Sequence, residues 1–150
     1  MSDTSSLEML IELAEGDRDG AARLLGQLRS THQQNHTQLE MLVEYRNDYR
    51  ARLETAMQKG LTMASLQNYQ RFLASLDRAI THQRDQLDSS QGRVQRGVTH
   101  WQKQQQKVNS YDVLLHRRRQ EAEQRKSRLE QRQNDEFASR AQSALGGLQA

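Results

Sequence analysis

The sequence predicts an all-α protein: a long antiparallel two-helix coiled-coil hairpin with a longer C-terminal helix. Three observations carry that prediction. First, the 150 residues contain 0 prolines, and Gln, Arg, Leu, Ala and Glu, all good helix formers, dominate them. Second, only 34% of the chain is hydrophobic and 5% aromatic against 27% charged, with a mean hydropathy of -1.02. That is too little apolar material for a globular core at this size, yet the absence of proline and a net charge of only +3 do not match a disordered chain. Third, apolar residues recur at a fixed seven-residue step through the second half.

The first helix spans about residues 4 to 58. Its apolar residues, among them Leu7, Ile11, Ala14, Ala21, Leu25, Leu28, Leu39, Leu42 and Leu53, recur at threes and fours, with polar interruptions at Arg18, His32, Asn35 and Arg46. Gly16, Gly20 and Gly26 each cost about 1 kcal/mol relative to alanine in a helix interior, and the sequence does not decide whether Gly16 to Gly20 interrupts it. A turn at about residues 59 to 64 follows, with Gly60 suited to a helix C-terminus and Thr62 or Ser65 to the next N-cap. In the second helix, about residues 65 to 140, steps of seven from Leu73 reach Ile80, Leu87, Val94, Trp101, Val108, Leu115, Ala122 and Leu129, all apolar. The companion column four residues earlier begins with Tyr69 and Leu76 but turns polar at Gln83 and Ser90, so the seam reads as strong on one side only. A disordered tail is expected at about residues 141 to 150.

A short connection makes the helices antiparallel, so positions whose numbers add to about 122 face one another. The small Ala21 then meets Trp101, and Ala14 meets Val108. Charge supports the register: acidic residues crowd the N-terminus, and the rule brings Glu15 level with Lys107 and Asp19 level with Lys103. The second helix outruns the first, leaving residues from about 118 to 140 without an intramolecular partner. This basic overhang includes Arg117, Arg118, Arg119, Arg125, Lys126, Arg128 and Arg132, with Leu129 and Phe137 as apolar anchors.

Several function classes fall away. With 0 cysteines there is no thiolate metal site or thiol nucleophile. No glycine-rich phosphate loop, nucleophile elbow or His-Glu-x-x-His motif is present, so the reading is of a non-enzyme without a cofactor. His32 and His36 stand at metal-ligand spacing, but no third ligand accompanies them. No apolar run approaches the roughly 18 to 20 residues needed to span a bilayer, and the N-terminus lacks the basic region of a signal peptide; a cytoplasmic protein without direct membrane insertion is expected. The isoelectric point of about 9.5 raises nucleic acid. The basic residues, however, lie within and after the seam rather than before it, and base-stacking aromatics are scarce.

The candidate binding residues lie beside the turn. Gln38, Leu42, Tyr45 and Tyr49 follow steps of four, three and four, as do Phe72, Leu76, Ala79 and Gln83. The facing rule sets Tyr49 level with Phe72 and Gln38 with Gln83. Each set is rotated by about one residue from the seam, so the apolar surface here is wider than two helices can hide.

These residues resemble the flagellar FliJ family. The likeness is carried by Ala21-Ala22-Arg23-Leu24-Leu25-Gly26, Gln38-Leu39, Met41-Leu42, Tyr45, Tyr49-Arg50, Asn68-Tyr69-Gln70 with Phe72, and Asp135-Glu136-Phe137-Ala138. The resemblance implies a component of flagellar type III export, folded as a two-helix coiled coil similar to the central shaft of rotary ATPases. Such a protein would insert into the ring of the export ATPase FliI, bind the cytoplasmic domain of the gate protein FlhA, and escort export chaperones. It would work in the cytoplasm, associating peripherally with the inner-membrane export apparatus. The resemblance places gate binding on Gln38, Leu42, Tyr45, Tyr49, Phe72, Leu76, Ala79 and Gln83, the last standing where a relative has histidine. Ring contacts would fall on Arg117, Arg118, Arg119, Arg125, Leu129 and Arg132. A monomer is expected; the alternative is a generic coiled-coil scaffold or oligomerisation module.

Overall fold

The structure is a computed structural model that describes the backbone of residues 2–148 and the side chains of residues 4–147. Two helices account for it: α1, Ser2–Lys59, and α2, Met63–Leu148. The glycines at 16, 20 and 26 do not interrupt α1. The flanking Leu, Ala, Glu and Arg residues, and the packing of one face, outweigh their cost.

The connection is three residues, Gly60, Leu61 and Thr62, shorter than expected. Gly60 takes φ 97° and its N–H donates to the Met57 carbonyl at 3.3 Å; this left-handed conformation is one that glycine adopts without a Cβ penalty. Thr62 caps α2: its Oγ1 accepts the Ser65 N–H at 3.1 Å. Its carbonyl accepts the first intrahelical bond from Leu66 at 3.0 Å. Thr62 is therefore the N-cap, with Ser65 its partner at the third helical position.

The chain forms two compact units, each with a stretch of both helices: Arg18–Lys103, and Met1–Asp17 with Gln104–Ala150. In the first unit Ala21, Leu25, Leu76 and Ile80 are buried, and Leu73, Leu87, Val94 and Trp101 are half-buried. The weak side of the seam is a correction to the sequence reading, because the companion residues Gln83 and Ser90 are among the most buried in the unit. Three of the four polar interruptions of α1 meet a polar mate on α2; the fourth, Arg18, pairs with its own neighbour Asp19. Ser90 Oγ lies 2.9 Å from His32 Nδ1; Gln83 Nε2 donates to the Asn35 carbonyl at 3.1 Å; and Arg46 Nη1 reaches Asp77 at 3.4 Å. Buried polar groups persist when hydrogen-bonded, so His32, Ser90, Asn35 and Gln83 complete the seam rather than breach it, whereas Arg46 keeps a buried Nε without a hydrogen-bond partner. Gly97 is also buried, and a Cβ there would stand 2.9 Å from Leu28 Cδ1 and 3.3 Å from Leu25 Cδ1. The missing side chain is what lets the two leucines close over the α2 backbone.

In the second unit Leu7, Ile11 and Leu115 form an apolar cluster with Tyr111 against it, and Ala14 and Val108 are buried. These partners obey the facing rule. The expected charge pairs do not form: Lys107 leaves Glu15 unpaired, and in the first unit Asp19 turns from Lys103 to its neighbour Arg18 at 3.1 Å. One cross-helix pair at this end is Arg119 with Glu8, at 3.0 Å.

From Arg119 to Gly147 every residue of α2 is exposed, as the difference in helix lengths requires. The expected disordered tail from 141 is corrected, since α2 continues to Leu148. Ala138, Ala141, Ala144 and Leu145 are strong helix formers, and Glu136 precedes Arg140 by four. The last two positions of the expected tail lie outside the described residues. Beyond Gln120 the overhang is also less basic than it first reads, with Glu121, Glu123, Glu130, Asp135 and Glu136 among its cations.

Candidate partner-binding site

Tyr45, Tyr49, Tyr69 and Phe72 gather on the turn side of Arg18–Lys103, with Trp101 lying apart, because the antiparallel register sets 45–49 opposite 69–72. Tyr49 is the hub: its ring centroid lies 4.5 Å from Phe72, 5.1 Å from Tyr69 and 6.4 Å from Tyr45. Tyr45 meets Phe72 edge-on at 6.0 Å. Such tilted and edge-to-face contacts stabilise the cluster by about 0.5–1.5 kcal/mol per pair beyond area burial. The cluster is not fully covered: Tyr45 is 46% exposed and Phe72 37%. Large aromatics held rigid by one another and still open to water lose little entropy when a partner covers them, which suits them to binding.

Around this centre Gln38 is exposed and Leu42, Tyr49 and Ala79 are half-buried. Leu76 and Gln83 are not surface residues: they are 7% and 9% exposed. Both belong to the companion column, where Leu76 packs and Gln83 bonds to Asn35. The sequence reading put them on the patch because a residue next to the seam in sequence can lie at its centre or at its shoulder. Conversely, two residues outside the candidate set lie against the cluster. Tyr69 had been assigned to the seam, yet it touches the hub. Met41, 63% exposed, joins Leu42, Glu44, Tyr45 and Asp48 around a depression of about 370 Å³. Its signal was its place four residues before Tyr45, on the same helical face.

The overhang residues Arg117, Arg119, Arg125, Leu129 and Arg132 are exposed on α2, and Arg118 is half-buried. Arg119 holds Glu8, and Arg125 Nε donates to the Glu121 carbonyl at 3.4 Å. Leu129 is an apolar side chain 56% open to solvent on this single helix. His32 and His36 do not share a site, since His32 faces Ser90 and His36 lies 3.3 Å from Glu40. Among the described residues no group of three or more histidines or carboxylates is arranged to hold a metal ion, and no helix is long and apolar enough to cross a membrane.

The profile of a family described as flagellar FliJ protein matches residues 3–144. The chain is also 38% identical over 141 residues to a flagellar FliJ protein of Escherichia coli (strain K12), covering 94% of this chain and 96% of the relative. The chain belongs to the flagellar FliJ family. A flagellar FliJ protein of Salmonella typhi is similar to the same degree, 38% over 141 residues with the same coverage. The FliJ match takes in both helices and the turn between them, so it does not rest on a short coiled-coil repeat. It also takes in the aromatic cluster and the overhang through Ala144.

Proposed function

We propose that this FliJ-family chain is a cytoplasmic, non-enzymatic component of flagellar type III protein export, associating peripherally with the inner-membrane export apparatus. Its exposed aromatic cluster binds the cytoplasmic domain of the gate protein FlhA. Tyr45 and Phe72 are the anchors, Tyr49 fixes their orientation from beneath, and Gln38, Leu42 and Ala79 form the surround. Leu76 and Gln83 act indirectly, by holding α1 and α2 in the register that assembles the cluster. The overhang, through Arg117, Arg118, Arg119, Arg125, Leu129 and Arg132, enters the ring of the export ATPase FliI, and the chain escorts export chaperones. The observation that carries the reading is the cluster itself: interlocked aromatics that remain substantially open to water at an end of the hairpin where burial was available.

The test is a pull-down of the full chain against purified FlhA cytoplasmic domain and FliI. Tyr45→Ala and Phe72→Ala are each expected to weaken gate binding by about tenfold or more, as interface aromatics do, with helicity and FliI binding retained. A tight homodimer in sedimentation, lost on the same substitutions, would instead make the cluster a self-association surface.

A further inference from the structure

In Arg18–Lys103, α1 carries no carboxylate from Gly20 to Leu39, and α2 carries none from Ser89 to Lys103. By the register these two stretches lie side by side. They hold Arg23, Arg29, Arg93, Arg96 and Lys103, and none of the five makes an ion pair among the described residues. The acidic residue best placed to answer Lys103, Asp19, binds Arg18 instead. The band therefore keeps a positive field that the chain itself does not neutralise.

The band is also shaped on one side. Arg93, Arg96, His100 and Lys103 follow steps of three, four and three, which is one stripe of a helix. Beside that stripe Leu24 is 49% exposed, and with Leu28, Arg93, Arg96, Gly97 and His100 it lines a depression of about 240 Å³. Gly97 forms part of the lining, and Leu28 closes over it where a Cβ would stand. An apolar notch with cations along one edge matches one ligand chemistry: a large aliphatic or aromatic residue flanked by carboxylates.

We infer that this face is a second docking surface, for an acidic amphipathic helix of a partner protein. The partner's apolar residue seats against Leu24 and Leu28, and its Asp or Glu residues, spaced at three and four, answer Arg93, Arg96 and Lys103. A nucleic acid fits less well. The face has no exposed Phe, Tyr or Trp on which a base could stack, the exposed ring in its lining being His100, and Leu24 would be left against a phosphate backbone. The inference does not depend on gate or ATPase binding, because it uses none of the residues assigned to them.

Fluorescence anisotropy of the full chain with three labelled probes tests it. The probes are a synthetic amphipathic helix with Leu on one face and Glu on the others, its Lys-for-Glu counterpart, and a single-stranded oligonucleotide of similar charge. The Glu peptide is expected to bind, more weakly as salt rises, and the Lys peptide not to. The triple variant Arg93→Glu, Arg96→Glu, Lys103→Glu should weaken the Glu peptide by about tenfold or more, and Leu24→Ser by several-fold. A control triple with the same charge change, Arg52→Glu, Arg71→Glu, Arg84→Glu, should have far less effect. Equal loss in both triples, or no loss with Leu24→Ser, would overturn the inference by reducing it to net charge. Tighter binding of the oligonucleotide, lost in the first triple, would overturn it in favour of nucleic acid. Circular dichroism melts confirm that each variant is folded.

Discussion

The interhelical seam of Met1–Asp17 with Gln104–Ala150 and that of Arg18–Lys103 are built from different chemistry. In the former, the buried residues are Leu7, Ile11, Ala14, Val108 and Leu115, all apolar. In the latter, apolar burial at Ala21, Leu25, Leu76 and Ile80 gives way to His32 with Ser90 and Asn35 with Gln83. An apolar seam supplies favourable area but discriminates poorly between registers, since a shift by one heptad places aliphatic side chains against aliphatic side chains again. A shifted register would take His32 from Ser90 and the Asn35 side chain from Gln83, at about 1–3 kcal/mol for each group left buried without a partner. The contrast teaches that the polar seam fixes which residues of α1 lie opposite which residues of α2. The aromatic cluster depends on that register.

The largest expected effect tests the apolar part of this division. Ile80 is 1% exposed, and Ile80→Ala is expected to destabilise the chain by about 2–5 kcal/mol, read as a fall in the urea midpoint. In a hairpin with so little apolar area, that is a large share of the whole stability. A loss below about 1 kcal/mol would mean that the unit is held mainly by its polar contacts, reversing the comparison.

A more selective change removes the polar specification while keeping bulk. In the double variant Asn35→Leu, Gln83→Leu, the side-chain bond at 3.4 Å loses both partners and the Asn35 backbone carbonyl, which accepts from Gln83 at 3.1 Å, keeps its place in the α1 helix, so stability should change by no more than about 1 kcal/mol. Register should suffer instead. Spin labels at the exposed Gln27 and Gln95 are expected to give one distance in the parent chain and a broadened or split distribution in the double variant. A single sharp distance in both would show that shape alone, through Leu28 over Gly97, sets the alignment.

Much of this architecture was legible in the sequence, and the exceptions have physical reasons. The seven-residue column from Leu73 to Leu115, the glycine at 60 and the surplus length of α2 are one-dimensional signals, and each appears where periodicity puts it. The companion column was misjudged because polarity is a poor guide to burial when a group has a mate. Gln83 and Ser90 read as edge residues until Asn35, His32 and the Leu87 carbonyl, which accepts from Ser90 at 2.8 Å, are seen to satisfy them. Of the candidate patch, Tyr45 and Phe72 are open to solvent while Leu76 and Gln83 lie in the seam, because a helix turns by 100° per residue. A one-residue error of phase exchanges the shoulder of a seam for its centre. Ring contacts such as Tyr49 with Tyr69 and Phe72 need the facing helix, and the sequence supplied that only through the register rule.

Charge was the signal the sequence overstated, and the smallest expected effect tests it. The segregation of acidic and basic residues suggested a ladder of cross-helix pairs, but the apolar unit shows Arg119 with Glu8, whose side chains are 60% and 53% exposed. Water screens such a pair, and holding two long side chains in one geometry costs entropy, so Arg119→Ala should destabilise by less than about 1 kcal/mol. A double-mutant cycle with Glu8→Ala isolates the coupling, which should fall further in 0.5 M salt as the screening length drops to a few ångströms. A coupling as large as the Ile80→Ala effect, or one that persisted in high salt, would give electrostatics a share in holding this seam that its geometry does not support. A small coupling would leave apolar burial as the force holding that unit's helices together. Arg23, Arg29, Arg93, Arg96 and Lys103 of the other unit, which have no acidic mate among the described residues, would then owe nothing to stability, and their place on the surface would have to be accounted for by what they bind.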